Sequence, residues 1–325
     1  MRTGVLGSPP VPTLPILFEP LFMPRVWGGR RLEAWGRELP PGETIGESWE
    51  LVDREDAQSV VAAGSWAGRT LHDLWTAERE AVFGARGAAS TAPRFPLLVK
   101  LLDARATMSV QVHPPASVAG ELGGEPKSEL WVVLEADAGA HLFLGLRRGV
   151  TRAEIEARLQ AGGDVSALLH RVAIRSGDAV YVPSGRVHAI GAGCVIAEIQ
   201  QNSDTTYRVY DFGRPGLDGE PRELHVDASL RSIDFADTEP ALLPRGASTL
   251  VAEDVLVADR LTLGDHPQPA APRGECAVLC ALDGEMRLGA SAVPPGRFVL
   301  APAAAALTMS GSGRVLRALL PPGPR

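Results

Sequence analysis

Two short segments of the sequence carry polar side chains whose types suit a divalent metal ion. In the first, Ser109, Gln111 and His113 alternate with valines, so on a β-strand they share one face. In the second, Lys127 and Glu129 share a face by the same spacing, and a tryptophan follows two residues later. Both segments therefore predict a polar strand face where a packed interior is normally apolar.

A third segment, from residue 177 to residue 214, extends this pattern. His188 follows a Pro-Ser-Gly-Arg-Val sequence, and Glu198, Gln200 and Asn202 alternate with other residues further along. Burying amide, carboxylate and imidazole groups together costs several kcal/mol unless something compensates them.

A bound metal ion would compensate these groups well. Gln111 offers an amide oxygen, Glu129 a carboxylate, and His113 and His188 neutral imidazoles. Because the set contains no thiolate, it suits zinc or another divalent ion in an open, catalytic site. A single carboxylate leaves the ion with net positive charge, which makes it a Lewis acid for an oxygen-bearing substrate.

Short strands separated by turns must position these residues. The strand candidates around the polar faces cover residues 95–102, 109–113, 130–134, 179–182 and 195–201. The chain has 35 glycines and 27 prolines, as expected for a sandwich or barrel of many short strands. In the C-terminal part, residues 276–282 and 286–288 predict a hairpin around Asp283-Gly284, and a domain boundary is expected near residues 232–245.

A few helices interrupt the strands. Thr70 and Asp73 have the spacing of a helix start, and that helix is predicted to stop at Gly84. Thr151 and Glu154 form a capping-box pattern for a helix that ends before Gly162-Gly163, and a second short helix is predicted over 165–170.

Composition limits the classes of partner. The chain has 325 residues, 45% hydrophobic and 22% charged, which suits two globular domains, and its net charge of −7 provides no basic field for nucleic acid or an anionic membrane. No stretch approaches the ~18 apolar residues of a membrane span.

Three cysteines without a CxxC pair favour a reducing compartment, so a cytoplasmic location is expected. Only Lys100 and Lys127 among the 32 basic residues are lysines, which suggests that their compact ammonium groups are needed.

Longer strings resemble a known family. Gly177, Pro183, Gly185 and His188 have the spacing of the second cupin motif, whose tight turn delivers a metal-binding histidine into a small barrel. Five strings, in order between Trp27 and His225, are similar to type I mannose-6-phosphate isomerases (phosphomannose isomerases) of the short bacterial form. They are VWGG at 26–29, GESW at 46–49, FPLLVKLLDA at 95–104, QVHP at 111–114 and EIQQNSDTTYRVYD at 198–211.

The resemblance implies a mainly β fold with two cupin-type jelly-roll β-barrel domains and a few short inserted helices. Residues 1–232 would form the catalytic, metal-binding domain, and residues 233–325 a cupin-like domain without a metal site. It also implies a zinc-dependent aldose–ketose isomerase, with one Zn2+ per chain, that interconverts mannose 6-phosphate and fructose 6-phosphate through an enediol. Gln111, His113, Glu129 and His188 would be the zinc ligands, although a water could take the place of the weakly binding amide.

The resemblance also assigns roles around the metal. Arg208 would be the catalytic arginine, and Lys127 the lysine close to the metal; both charges would support the developing enediolate. Lys100, in the FPLLVK string, is predicted to bind substrate. Apart from the resemblance, phosphate recognition is expected to use arginine and hydroxyl donors at the barrel mouth, where Ser109 is the predicted residue. Arginine is not an ordinary base at neutral pH, so the proton must move through Glu198, a water on the metal, or Lys127.

Three alternatives remain at this point. A non-catalytic sugar-binding metallocupin would keep the metal face without needing both Lys127 and Arg208. Another metallocupin enzyme, such as an iron dioxygenase or a cupin-type glucose-6-phosphate isomerase, usually carries His-x-His where this chain has Gln111-x-His113. Arg208 would be purely structural if it paired with Glu198 or Asp211. The sequence leaves the oligomeric state open.

Overall fold

The structure is a computed structural model that describes residues 13–322. Within that range it has 21 strands and five α-helices, so the chain is mainly β as expected. In chain order the first strands are β1 (Leu21–Gly29), β2 (Ile45–Leu51), β3 (Asp53–Arg54), β4 (Ala57–Gln58), β5 (Leu97–Ala104), β6 (Val110–Val112), β7 (Glu129–Ala136), β8 (His141–Leu146), β9 (Leu169–Ala173), β10 (Ala179–Val182), β11 (His188–Ile190), β12 (Cys194–Gln201) and β13 (Tyr207–Tyr210).

The later strands and the helices complete the set. The later strands are β14 (Thr249–Glu253), β15 (Leu256–Leu263), β16 (Gln268–Pro269), β17 (Ala277–Ala281), β18 (Glu285–Leu288), β19 (Ser291–Val293), β20 (Phe298–Ala301) and β21 (Thr308–Leu319). The helices are α1 (Leu71–Ala77), α2 (Arg79–Ala89), α3 (Ala116–Ala119), α4 (Arg152–Gln160) and α5 (Val226–Ser232). None of these helices combines the length and the apolar character that a bilayer crossing requires.

Two antiparallel sheets face each other in the first part of the chain. One has six strands in the order β1-β2-β5-β12-β7-β10, and the other has five in the order β13-β6-β11-β8-β9. Apolar residues from both sheets, among them Leu102, Trp131 and Ile196 of the first and Leu142 and Leu144 of the second, pack into one core. This is the cupin-type arrangement that was predicted, although among residues 13–322 no strand pairing closes the two sheets into a continuous barrel.

A third sheet of eight strands, built from residues 249–319, covers the outer face of the six-stranded sheet. Val99 and Leu101 of β5 share an apolar cluster with Leu250, Val278 and Leu316 of the third sheet. Because the six-stranded sheet is covered on both faces, β5 is buried along its whole length. The division of the chain at residue 232 stays a prediction; α5 ends there, and the third sheet begins at residue 249.

Two predicted helix starts, at Thr70 and Thr151, are confirmed. The predicted end at Gly84 and the predicted helix over 165–170 are wrong. Thr70 and Asp73 form a complete capping box at α1, and Thr151 and Glu154 form one at α4. The helix predicted to stop at Gly84 instead breaks at residue 78, resumes as α2 and passes through Gly84, whose φ is 70°. A Cβ at that position would lie 2.0 Å from the carbonyl oxygen of residue 274, so a tertiary contact fixes this kink. The helix predicted over 165–170 is a single 3-10 turn, Ser166–Leu168, that leads into β9.

The predicted hairpin at Asp283-Gly284 is also wrong. Strands β17 and β18 do not pair with each other; both pair antiparallel with β21, one after the other along its length. Gly284 has a φ of 71° and lies so close to Ser312 that a Cβ would be 2.3 Å from its carbonyl oxygen. The Asp-Gly pair therefore shifts the chain along β21 without reversing it.

Candidate metal centre and adjoining cleft

Three potential metal ligands meet between the two facing sheets. Glu129 is the first residue of β7 in the six-stranded sheet, His188 is the first residue of β11 in the five-stranded sheet, and His113 follows the end of β6. His113 Nε2 lies 3.2 Å from Glu129 Oε1, and His188 Nε2 lies 3.9 Å from Glu129 Oε2. All three residues are at most 1% exposed. Three of the four predicted ligands, His113, Glu129 and His188, are thus brought together in the structure.

The hydrogen bonds of the two imidazoles fix their orientation for metal binding. His113 Nδ1 lies 2.8 Å from the carbonyl oxygen of Thr205, and His188 Nδ1 lies 2.9 Å from that of Arg186. Because a carbonyl oxygen only accepts, each Nδ1 carries the proton, and the Nε2 atoms of the neutral rings present lone pairs. These backbone acceptors are the kind of partner that orients histidine ligands in metal sites.

Three buried acceptor atoms then point at one another without a donor. Among residues 13–322, neither Nε2 atom of His113 and His188 nor Oε2 of Glu129 has a hydrogen-bond partner. Leaving such atoms unpaired costs roughly 1–3 kcal/mol each. A divalent cation satisfies all three at once, so the residues present fit a metal ion.

Burial and neighbouring charges keep these groups in the protonation states that a metal needs. Burial lowers the pKa of His113, and it lowers that of His188 to about 3, so both rings are neutral. Burial opposes the ionisation of Glu129, but the neighbouring Lys127 ammonium holds the pKa of that carboxyl well below its usual range. The nearest cation is the Lys127 ammonium, whose Nζ lies 2.8 Å from Glu129 Oε1.

Two other predicted site residues lie in the same cross-strand row as His188. Gln111 on β6 lies directly opposite His188 on β11, and Arg208 on β13 lies directly opposite Gln111. Directly opposed residues of an antiparallel pair project from the same face of the sheet. The predicted amide ligand and the predicted catalytic arginine are therefore the two successive neighbours of the metal-site histidine.

The six-stranded sheet presents a second row opposite the first. Trp49, Lys100, Glu198 and Trp131 are directly opposed in sequence across β2, β5, β12 and β7. Trp131 Nε1 donates to Glu198 Oε2 at 2.9 Å, and its ring meets the His188 ring edge to face at 5.3 Å.

The two lysines predicted to act at the site are both buried and paired. Lys100 Nζ lies 3.3 Å from Glu47 Oε2 and 3.6 Å from Glu198 Oε1, and it sits 4.9 Å from the centre of the Trp49 ring. Although burial disfavours its charge, Glu47 and Glu198 raise the pKa of Lys100. Burial, together with repulsion from Glu129, raises the pKa of Glu198 to about 7.

A cleft of about 680 Å³ adjoins this centre. Of the predicted residues, Ser109, Gln111 and Arg208 line it, whereas the other six lie behind its wall. Lys100, predicted to contact substrate, is 4% exposed and is enclosed by its carboxylate partners. Gln111 therefore marks the place where the cleft reaches the metal centre.

Arg208 does not make the structural ion pair that was its alternative role. Its Nη1 donates to the carbonyl oxygen of Glu223 at 2.6 Å, and no carboxylate in the part of the chain described lies within 4.0 Å of its guanidinium. Asp211 pairs instead with Arg214 and Arg222, and Glu198 pairs with Lys100.

Sequence reasoning missed several residues of the cleft. Glu47 lines it and binds Arg25 at 2.7 Å as well as Lys100, and these partners hold its pKa at about 2 although burial opposes ionisation. Its string, GESW, had been singled out without a role for the glutamate. The outer wall comes from the loop at residues 216–223, including Arg222, for which the sequence carried no signal.

Known proteins with the same organisation identify the family. Residues 18–128 match the family model of the phosphomannose isomerase type I catalytic domain. The chain is 41% identical over 227 residues to mannose-6-phosphate isomerase ManA of Bacillus subtilis (strain 168), covering 68% of this chain and 69% of the relative. It is 41% identical over 244 residues to the mannose-6-phosphate isomerase of Streptococcus mutans serotype c, covering 72% and 75%.

The three-dimensional comparison extends this similarity to nearly the whole chain. A crystal structure of the mannose 6-phosphate isomerase from Bacillus subtilis matches with a TM-score of 0.81 and 29% sequence identity, covering 94% of this chain and 99% of that one. Three observations lead to the same family: the order of the matching strings in the sequence, the two facing sheets, and the similarity to these relatives. The chain belongs to the type I phosphomannose isomerase family.

Proposed function

We propose that this chain interconverts mannose 6-phosphate and fructose 6-phosphate through an enediol, with one zinc ion held by His113, Glu129 and His188. The observation that carries the proposal is the set of unpaired acceptor atoms on these three residues, next to a cleft lined by Gln111 and Arg208. The names of the relatives supply mannose 6-phosphate as the substrate, and fructose 6-phosphate is the ketose that aldose–ketose isomerisation of this sugar produces.

Zinc fits the donor set better than a harder ion. Two neutral imidazoles and one carboxylate form a three-residue set typical of catalytic zinc, which leaves a position open. Gln111, directly opposite His188 across the strand pair, would add its amide oxygen as a fourth ligand. When bound, zinc supplies a Lewis acid that polarises the substrate oxygens on C1 and C2.

The residues of the chain supply the charges that the reaction needs. Isomerisation removes a proton from C2 of the open-chain sugar and returns one to C1, so negative charge develops on the substrate oxygens. The Arg208 guanidinium is fixed at its Nη1 and is free of carboxylates, so it is already arranged to stabilise that charge. Lys127 is held by Glu129 as an ion-paired ammonium beside the metal ligands.

Glu198 is the candidate that best suits proton transfer. Its pKa of about 7, raised by burial and Glu129, is close to the value at which a carboxyl can both take and give a proton at neutral pH. Its Oε1 atom has no hydrogen-bond partner in residues 13–322, whereas Trp131 fixes the other oxygen. Lys127 suits this role less well because its ammonium is already engaged by Glu129 Oε1 at 2.8 Å.

A coupled assay on mannose 6-phosphate, before and after chelation, tests the proposal. We expect turnover that disappears with the metal and returns when zinc is added, with one zinc per chain measured on the same sample. Metal-dependent binding of mannose 6-phosphate without turnover would instead identify a non-catalytic sugar-binding metallocupin. Full turnover by a metal-free preparation would overturn the role of the metal.

A cytoplasmic location belongs to this proposal as well. Its support is that Cys194, Cys276 and Cys280 are buried free thiols, as is usual where the compartment is reducing.

A further inference from the structure

The arginines of the cleft differ in how far their charge is compensated. Three guanidiniums line it, those of Arg25, Arg208 and Arg222. Arg25 is neutralised by Glu47, whose Oε1 accepts from its Nε at 2.7 Å. Arg208 has only a carbonyl partner, the backbone oxygen of Glu223. The charge of Arg25 is thus compensated on the Glu47 side of the cleft, whereas the charge of Arg208, on the β13 side, is not.

A single buried carboxylate, Asp211, pairs with Arg222 and with Arg214. Asp211 accepts from Nε and Nη2 of Arg222 at 2.6 and 2.5 Å, and from Nη2 of Arg214 at 2.8 Å. Arg208, on β13, lies three residues before Asp211, which directly follows the end of that strand. Three guanidiniums around one carboxylate leave a local surplus of two positive charges.

The carboxylates on the rim do not cancel this surplus. Asp204, Asp218, Glu220 and Glu223 line the cleft but are exposed to solvent, where their charges are screened. Burial lowers the pKa of Arg208, and the neighbouring charge of Arg222 lowers it further. The half-buried guanidiniums therefore face an excess of positive potential.

Free donor atoms remain to meet an anion. Nε and Nη2 of Arg222 are engaged by Asp211, while within the described range its Nη1 donates to no protein atom. Since Arg222 lines the cleft and Asp211 holds it from behind, the guanidinium is already oriented toward the space where substrate lies.

We propose that Arg222, oriented by Asp211, binds the phosphate group of the substrate and makes the enzyme specific for phosphorylated sugars. This inference rests on the proposed function, since it places the reacting carbons at the Gln111 end of the cleft and the phosphate at the loop end. A phosphate monoester carries about −1.5 to −2 charges at neutral pH, which matches the surplus around Asp211. A planar guanidinium with free donors is also the side chain best suited to bind phosphate oxygens.

The test compares zinc-loaded wild type with Arg222→Met and Arg222→Lys. We expect the KM for mannose 6-phosphate, and its dissociation constant measured by calorimetry, to rise about 10- to 100-fold in Arg222→Met. The kcat should stay within about threefold, and Arg222→Lys should recover part of the affinity because it keeps the charge. The matched control is Arg314→Met, since Arg314 also donates Nε and Nη2 to one aspartate, Asp283, but does not line the cleft.

Two results would overturn the assignment. One is unchanged affinity for mannose 6-phosphate in Arg222→Met; the other is a fall in kcat at constant KM. Absence of turnover in wild type would count against the proposed function alone, because calorimetric binding of mannose 6-phosphate to wild type and variant still decides the role of Arg222. Absence of both turnover and binding in zinc-loaded wild type would remove both proposals.

Discussion

Gln111 lies directly opposite His188 in the antiparallel pair of β6 and β11. Neighbouring strands are about 4.8 Å apart, so this register sets the distance between a metal-site imidazole and the amide at the floor of the cleft. Arg208 occupies the next place in the same row. The register of paired strands therefore keeps His188, Gln111 and Arg208 in a fixed order along one sheet, as a preorganised site requires.

Removing one imidazole should remove the metal. In His188→Ala only one imidazole and one carboxylate remain of the clustered ligands, so we expect less than one tenth of the zinc content of wild type after dialysis and no measurable turnover. The measurement is metal analysis of purified protein at equal concentration. His141→Ala is the control, because His141 lies on the neighbouring strand β8 but outside the cluster. Equal zinc content in both variants would show that the metal is bound elsewhere.

The raised pKa of Glu198 predicts a pH-dependent stability in the metal-free protein. A carboxyl with an ordinary pKa of 4.5 in the unfolded chain and about 7 in the folded one binds more protons when folded. Its contribution is therefore full below pH 4.5 and is lost as the pH rises toward 7, by about 3 kcal/mol in all.

Thermal unfolding in the presence of a chelator measures this effect. Glu198→Gln cannot ionise, so between pH 5 and pH 8 its melting temperature should fall by less than that of wild type. Asp103→Asn is the comparison variant, because burial also raises the pKa of the Asp103 carboxyl. Its melting temperature is measured over the same pH range. A parallel decline of wild type and Glu198→Gln would mean that Glu198 titrates normally.

The polar faces of the site were predictable because side chains two residues apart on a strand must share a face. That rule placed Gln111 with His113 and Lys127 with Glu129, and the structure brings the second pair into contact, with Lys127 Nζ 2.8 Å from Glu129 Oε1. The pairing of Lys100 with Glu47 was not predictable, because it depends on the register between β2 and β5, which no local pattern encodes.

Glycine positions show the same limit. Gly84 and Gly284 carry local signals for a helix end and a hairpin turn, yet each is placed by close approach to a distant backbone carbonyl. Both have positive φ, so the sequence correctly indicated an unusual backbone conformation. Whether such a conformation ends an element or only bends it is decided by tertiary packing, which those local signals do not report.

Breaking the buried ion pair between Arg37 and Glu50 should lower the free energy of unfolding strongly. Arg37 Nε donates to Glu50 Oε1 at 2.8 Å, both side chains are at most 4% exposed, and Arg37 Nη2 donates to the carbonyl oxygen of Gly296. Arg37→Met leaves a buried carboxylate unpaired, so we expect a loss of about 3–5 kcal/mol in the free energy of unfolding. Urea denaturation of the metal-loaded protein measures it.

Two further variants separate pairing from packing in that measurement. Arg37→Met combined with Glu50→Gln should recover part of the loss, because no uncompensated charge stays buried. Arg152→Met breaks an exposed pair with Glu156 and should cost at most ~0.5 kcal/mol. Equal losses for the buried and the exposed pair would contradict the importance of burial here.

Replacing Arg208 should affect the chemical step more than substrate binding. If its guanidinium stabilises the enediolate, the charge matters mainly in the transition state, so Arg208→Ala should lower kcat by about 10²–10³, with a smaller change in KM. This signature is the reverse of the one expected for Arg222, whose loss should raise KM and spare kcat. Steady-state kinetics on both variants, prepared in parallel, gives the comparison.

Metal content and melting temperature must be measured on the same Arg208→Ala sample. Because Arg208 pairs with no carboxylate of residues 13–322 and its guanidinium donates to a backbone carbonyl, its removal should change the melting temperature little and leave zinc in place. Arg208→Lys should restore part of kcat, since an ammonium keeps the charge without the planar geometry. A normal kcat per folded, metal-loaded molecule of Arg208→Ala would remove Arg208 from the mechanism and leave Lys127 as the charged group beside the metal.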